Sequence, residues 1–256
     1  MTDIDVQAEP AEEAAAAQDG SRPSLVDWQG QLLASPGYRA LALQDRVKRM
    51  GYVFQGNVAQ YQSLVAGLQN PAVSGPILDV RNPGAHDDLL SEAERLLHNV
   101  LTAMSTRVDQ QRRFMTQYFA DDPALTNDYR EKLTSVFKTD VQANFLKGLR
   151  NYITHSQPPV SKSKQTMGPA SFAITFTLPA ESLLRAGVWN GDQRAWIAAQ
   201  GEAVVIVDVV DSYARKAGEF DKWLFDRMGL KCRADIDAYL GERAEFDREV
   251  ERLFGV

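Results

Sequence analysis

Residues 38–68 read YRALALQDRVKRMGYVFQGNVAQYQSLVAGL. Val47, Met50 or Gly51, Phe54, Val58, Tyr61, Val65 and Leu68 recur at steps of three and four. That period lines them along one face of a long α-helix. Further segments carry the same period. Leu90, Ala93, Leu97, Val100 or Leu101, Met104 and Val108 mark a helix from Asp87 or Asp88 to about Phe119. Leu133, Val136 or Phe137, Val141, Phe145, Leu149 and Tyr152 or Ile153 mark another, from the Asp121-Asp122-Pro123 break to about His155. Val205, Val209, Tyr213, Ala217, Phe220 and Leu224 mark a third, from about Glu202 to Met228. Valine favours strands at Ala203–Val210, but the four-residue spacing runs on to Leu224, so helix is preferred there.

Shorter helices are expected from Ser24 to Leu33, stopped by Ser35-Pro36-Gly37, and at 180–187 and 192–200 around Trp189-Asn190-Gly191. A final amphipathic helix covers 234–254. Residues 70–84, with three prolines and two glycines, read as a loop. Pro158-Pro159 ends helical structure, because proline lacks the amide donor and restricts its predecessor. Ser171–Leu178 then alternates Phe172, Ile174, Phe176 and Leu178 with small or polar residues, the period of a half-buried strand. One strand cannot stand alone, so Pro159–Thr166 is its expected hairpin partner and Pro179 closes the unit. The expected fold is mainly all-α, a bundle of long helices with one small β-hairpin and additional C-terminal helices.

The 34 acids and 28 bases give a net charge of −6, but the total is unevenly spread. Asp3, Asp5, Glu9, Glu12, Glu13 and Asp19 lie in the first 20 residues without a single base, which leaves 28 acids against 28 bases. Residues 1–22 read as a disordered acidic tail, because nothing in them can fill a core. Residues 23–256 read as one helical domain with a neutral body, unlike a general nucleic-acid coat. The lone Cys232 excludes a disulfide framework and a cysteine-built zinc site. No apolar run approaches the ~20 residues of a membrane span, and the acidic start lacks the pattern of a signal peptide. A soluble cytoplasmic protein without membrane association is the expectation.

Several chemistries are absent as motifs. There is no Gly-rich phosphate loop, no Gly-x-Ser-x-Gly elbow and no His-Glu-x-x-His. His86, His98 and His155 are too scattered to suggest a metal cluster, so neither metal nor cofactor is expected. The informative segment is Leu149-Arg150-Asn151-Tyr152-Ile153-Thr154-His155, at the end of an expected helix. Asn151 and His155, four apart, share a helix face, and Arg150 lies to its side. A histidine moves protons near neutral pH, an arginine fork grips a phosphate, and an asparagine orients either. Those are the needs of phosphodiester cleavage without metal. From Arg130 to Gln165 there are seven bases and two acids, a local excess that attracts a phosphate backbone. Within it Lys147, Lys162 and Lys164 are the candidate RNA contacts. Arg95, His98 and Asn99 form a secondary candidate, with His98 read as a core or interface histidine and Asn99 as a support for Arg150.

The Arg150-Asn151-x-x-x-His155 segment resembles the signature of the HEPN superfamily, helical-bundle domains whose active members are ribonucleases with an Arg-x(4–6)-His motif. A loose Arg-to-His spacing arises readily by chance; requiring Asn makes it about a hundredfold rarer in this composition. The resemblance covers about 38–155, and the hairpin and C-terminal helices are not typical of it. It implies a metal-independent endoribonuclease that cuts by 2′-hydroxyl attack, with Arg150, Asn151 and His155 catalytic. It further implies a homodimer with a composite cleft, and a role in toxin–antitoxin, defence or stress systems beside an antitoxin or other regulator. Three other readings stay open. The segment can be a helix end whose Arg, Asn and His cap carbonyls and complement the dipole. The chain can be a silent HEPN-like module binding RNA, nucleotide or protein. It can also be a helical scaffold whose interaction device is the acidic tail. Trp189, Trp196, Trp223, Tyr213 and Phe220 read as packing aromatics, and Arg112-Arg113 as a solvated face.

Overall fold

In the computed structural model, residues 23–77, 79, 81–155, 161–168 and 171–255 are described, without the side chains of 83, 155, 166–168 and 171–173. The architecture is mainly all-α with a small antiparallel sheet. The acidic segment 1–22 and Pro158-Pro159 lie outside the described residues.

Helix α1 (Leu25–Ala34) starts where the Ser24 hydroxyl accepts the Asp27 amide at 3.2 Å. The Ser35-Pro36-Gly37 stop is also a start. Ser35 Oγ accepts the Tyr38 amide at 3.2 Å, and Pro36 opens α2 (Pro36–Gly67), where a missing N–H costs nothing. The α2 stripe is buried at Val47, Gly51, Phe54, Val58 and Tyr61. The expected loop at 70–84 contains a helix instead, α3 (Pro71–Ile77). Asn70 starts it by accepting the Ala72 amide at 3.0 Å, and the proline at the first position is pre-set for the turn. Helix α4 (Pro83–Tyr118) begins at Pro83 rather than at Asp87 or Asp88, for the same reason.

The single helix expected from Pro123 to His155 is broken. It runs as α5 (Pro123–Leu133), a π turn (Thr134–Lys138) and α6 (Val141–His155). Asp140 causes the restart. Its carboxylate accepts the amides of Gln142 at 2.8 Å and Ala143 at 3.2 Å, and it also pairs with Lys216. A short acidic side chain that satisfies first-turn amides makes a better helix start than a helix interior.

Strands β1 (Lys162–Gly168) and β2 (Ser171–Pro179) pair antiparallel, from Lys162 opposite Thr177 to Gly168 opposite Ser171. The hairpin is joined by a third strand, β3 (Ala203–Val205), opposite Thr177–Pro179. The continuous helix expected from Glu202 therefore begins later, as α9 (Ile206–Lys231). The open edge of β2 and the β-branched valines decide the matter, with Val204 fully buried beneath the pairing. Between the strands lie α7 (Ala180–Arg185) and α8 (Gly191–Ala199), the latter opened by a reciprocal Asn190–Gln193 capping box. Helix α10 (Arg233–Phe254) ends the described chain.

One apolar cluster joins Phe54, Val58, Leu97, Phe145 and Leu149 to Ile174, Phe176 and Leu178 of β2. A second joins Val47, Phe114, Tyr129, Phe220 and Leu224. Trp189 stacks on Phe145 at 5.3 Å, and Phe220 packs edge-on to Tyr129 at 5.6 Å. Arg112 and Arg113 are exposed.

Among the described residues, the largest fully buried side chain is a charged one, Arg107 of α4. Its Nε donates to Asp221 Oδ2 at 2.9 Å and its Nη2 to the Ala217 carbonyl at 3.1 Å. Gln111 adds a 2.6 Å bond to Asp221 Oδ1. Gly51 of α2 leaves the room, since a Cβ there would stand 2.8 Å from Asp221 Oδ2. The three central helices α2, α4 and α9 thus meet at one ion pair. Burial pushes the Tyr129 and Tyr213 hydroxyls above the usual phenol range, with Arg107 partly opposing.

Helices α2 and α10 meet at Gly37, where a Cβ would fall 2.5 Å from Tyr239 Cβ and 2.8 Å from the Asp235 carbonyl carbon. Backbone cannot yield there as a flexible side chain can. Gly37→Ala is expected to lever α10 off the bundle at a cost of about 1–3 kcal/mol. Amide exchange should accelerate across Arg233–Phe254 and stay unchanged in α4. Unchanged exchange in α10 would show the crossing to be loose.

Candidate functional site at the end of helices α4 and α6

Helix α6 buries Phe145, Leu146 and Leu149 and half-buries Tyr152 and Ile153. This face fixes where the motif residues fall. On an ideal helix Arg150 stands about 60° from Ile153, and Asn151 about 160° from it. Arg150 is accordingly half-buried at the edge of the packed face, and Asn151 is exposed. Arg150 Nη1 donates to Asn151 Oδ1 at 3.3 Å, and Thr154 Oγ1 donates to the Arg150 carbonyl at 2.8 Å. His155 is the last residue of α6, and its side chain lies outside the described residues. Lys147 is exposed, one turn before Asn151.

Of the core or interface position expected for His98, the core is excluded, because His98 is exposed. The buried positions of α4 here are Ala93, Leu96, Leu97, Val100 and Leu101, which turns His98 outward. It borders a cleft of about 300 Å³ between α4, α6 and the start of β1. Ser91, Glu94 and Arg95 of α4 line it, with Ile153 of α6 and Ser161. Glu94 accepts the Ser161 amide at 3.1 Å, and His86 Nε2 meets Ser163 Oγ at 2.8 Å. The two contacts fasten the entry of β1 along α4. Arg95 is held by Glu92 through bonds of 2.7 and 2.6 Å, which keep the Glu92 carboxyl below the usual carboxylate range.

The structure therefore brings His98 and Arg95 against the last turns of α6, with Ile153 as the shared wall. Arg150 and Asn151 are not among the lining residues of that cleft. Asn99 is half-buried, and the hydrogen bond of the Arg150 guanidinium goes to Asn151 rather than to Asn99. Lys162 and Lys164 are exposed on β1 beyond Ser161. A residue spacing of 91, 94, 95 and 98 is a polar helix face, and that signal would have assigned Ser91 and Glu94 to the site. Ser161 gave none.

The chemistry gathered here is one imidazole, a carboxylate, a tethered guanidinium and two hydroxyls beside an apolar wall. Among the described residues, no group of three or more His, Cys, Asp and Glu side chains is placed to hold a metal ion. No described helix is long and apolar enough to cross a membrane. No protein-family model, curated protein or solved structure matches the chain.

Proposed function

We propose that the chain is a HEPN-like endoribonuclease that cuts RNA without metal, with Arg150, Asn151 and His155 at the reacting phosphate. The observation that carries this reading is the cleft in which His98 and Arg95 of α4 face Ile153 of the motif helix α6, two residues before His155. Lys147 on α6 and Lys162 and Lys164 on β1 are exposed, and a phosphate backbone gains from such positive charge.

In this reading a base removes the proton of the ribose 2′-hydroxyl. The 2′-oxygen bonds to phosphorus, the P–O5′ bond breaks, and an acid protonates the departing 5′-oxygen. His155 is one of the two proton carriers and His98 is the other. Arg150 offsets the extra charge of the transition state, and Asn151 holds its fork in place. A two-fold dimer, with a composite cleft and an inhibitory partner in a toxin–antitoxin, defence or stress system, completes the proposal.

The test uses an end-labelled RNA in the presence of chelator. His98→Ala is expected to slow cleavage by about 10²-fold, the low end for a general acid–base group, because water can replace a terminal acid. RNA affinity should be unchanged. Binding by the wild-type chain without any cleavage would favour the silent binding module, and equal rates in His98→Ala would remove His98 from the mechanism.

A further inference from the structure

A second surface, away from this cleft, carries an inference of its own. Between α2 and α4 runs a groove of about 380 Å³. Arg46 and Arg49 of α2 face Arg113 of α4 across it, over a floor of Met50, Val53 and Phe114. No carboxylate lines it. Asp45 takes one edge of Arg49 at 2.6 Å, Arg46 reaches the Tyr118 hydroxyl, and Arg113 has no ion-pair partner among the described residues. Val53 is 58% exposed and its neighbour Tyr52 is 79% exposed. Apolar groups facing water beneath three cations fit an occupant that is both acidic and apolar.

We propose that the occupant is the acidic N-terminal segment of the same chain, residues 3–19. That segment holds six acids and no base, while the rest of the chain is balanced. Its opening, Asp3-Ile4-Asp5-Val6, alternates acid with apolar residues. An order of alternating acidic and apolar side chains suits a groove with an apolar floor and a cationic rim. The reach suffices. From Pro23 through α1 to Arg46 the path is at most ~35 Å at 1.5 Å per helical residue. The 18 residues from Asp5 to Pro23 extend up to ~60 Å. Tethering sets an effective concentration in the mM range, so a weak contact is populated. The segment then shields the groove from other polyanions, and this contact does not depend on RNA cleavage.

The full chain supplies the test. A nitroxide label is placed by Ala8→Cys in a Cys232→Ser background, and the methyl signals of Met50 and Val53 are followed by NMR. The label is expected to reduce those signals at least twofold at about 0.1 M salt and to release them near 1 M, where the screening length falls from ~10 to ~3 Å. Arg46→Glu with Arg113→Glu should abolish the effect, and adding Asp3→Lys with Asp5→Lys should restore it. Undiminished signals, or signal loss that survives the charge reversal, would overturn the contact. So would loss arising between labelled and unlabelled chains in a mixture, which makes the occupant a second copy. A short uridine oligonucleotide that shifts Met50 and Val53 while the label has no effect would give the groove to nucleic acid instead.

Discussion

Arg107→Ala is expected to destabilise the protein by about 3–5 kcal/mol, the cost of leaving a buried charge without its partner. For a chain of this size that lowers the melting temperature by about 6–20 °C. The reason lies in what remains. Asp221 loses the fork that binds both its oxygens, and the Ala217 carbonyl loses its Nη2 donor. Among the described residues, Gln111 is what still reaches the carboxylate. Arg107→Met combined with Asp221→Leu should melt much closer to the wild type, because apolar residues of similar volume often replace a buried pair without loss. A single variant that melts within about 3 °C of wild type would show that water or rearrangement rescues Asp221.

The second large effect concerns activity. His155→Ala is expected to slow RNA cleavage by about 10²–10⁴-fold, and Arg150→Ala by about 10²–10³-fold, with chelator present throughout. Products of the wild-type reaction should end in 2′,3′-cyclic phosphate or 3′-phosphate, and DNA should survive because it lacks the attacking hydroxyl. Both variants should stay folded. Among the described residues the Arg150 guanidinium bonds to its exposed neighbour Asn151, so its removal leaves no buried group stranded. If the segment is only a helix end, the same substitutions cost roughly 0.5–2 kcal/mol of capping and dipole interaction, and no cleavage exists to lose. Melting and cleavage measured on the same two variants separate the outcomes. Chelator-sensitive cutting, or full activity in His155→Ala, would remove the proposed chemistry.

What could be read from the chain depended on how local the cause was. The α2 stripe, the α6 stripe around Phe145 and Leu149, and the alternation in β2 are periodic, and the helices and strand follow that period. The helix breaks are local too, but ambiguous. Asp140 reads as an ordinary polar position until its carboxylate is seen to accept two amides. Pro71 and Pro83 read as breakers although each opens a helix. Strand β3 depends on a partner about 25 residues away in sequence, so its two valines could not reveal it. Arg107 was hidden by its charge. Its position continues the buried stripe of Met104 and Phe114, yet a residue-type reading places arginine at the surface. The site shows the same division. The helix-end position of Arg150 and Asn151 follows from the α6 stripe. The outward turn of His98 follows from the α4 stripe, whereas its place in one cleft with Ile153 and Ser161 depends on how α4 packs against elements more than 50 residues away.

The pairing of α2 with α9 also sets a timetable for synthesis. The apolar stripe of α2 leaves the ribosome early, and one of its central partners is encoded about 140 residues later. At ~5–20 residues per second the stripe waits roughly 7–30 s for that cover. During this interval α4, itself incomplete without Asp221, is the main partner already made. The nascent chain therefore passes through a stage in which the guanidinium of Arg107 has been made and its counter-charge has not. Holding chaperones that recognise exposed helical stripes would meet this protein before its own last third does.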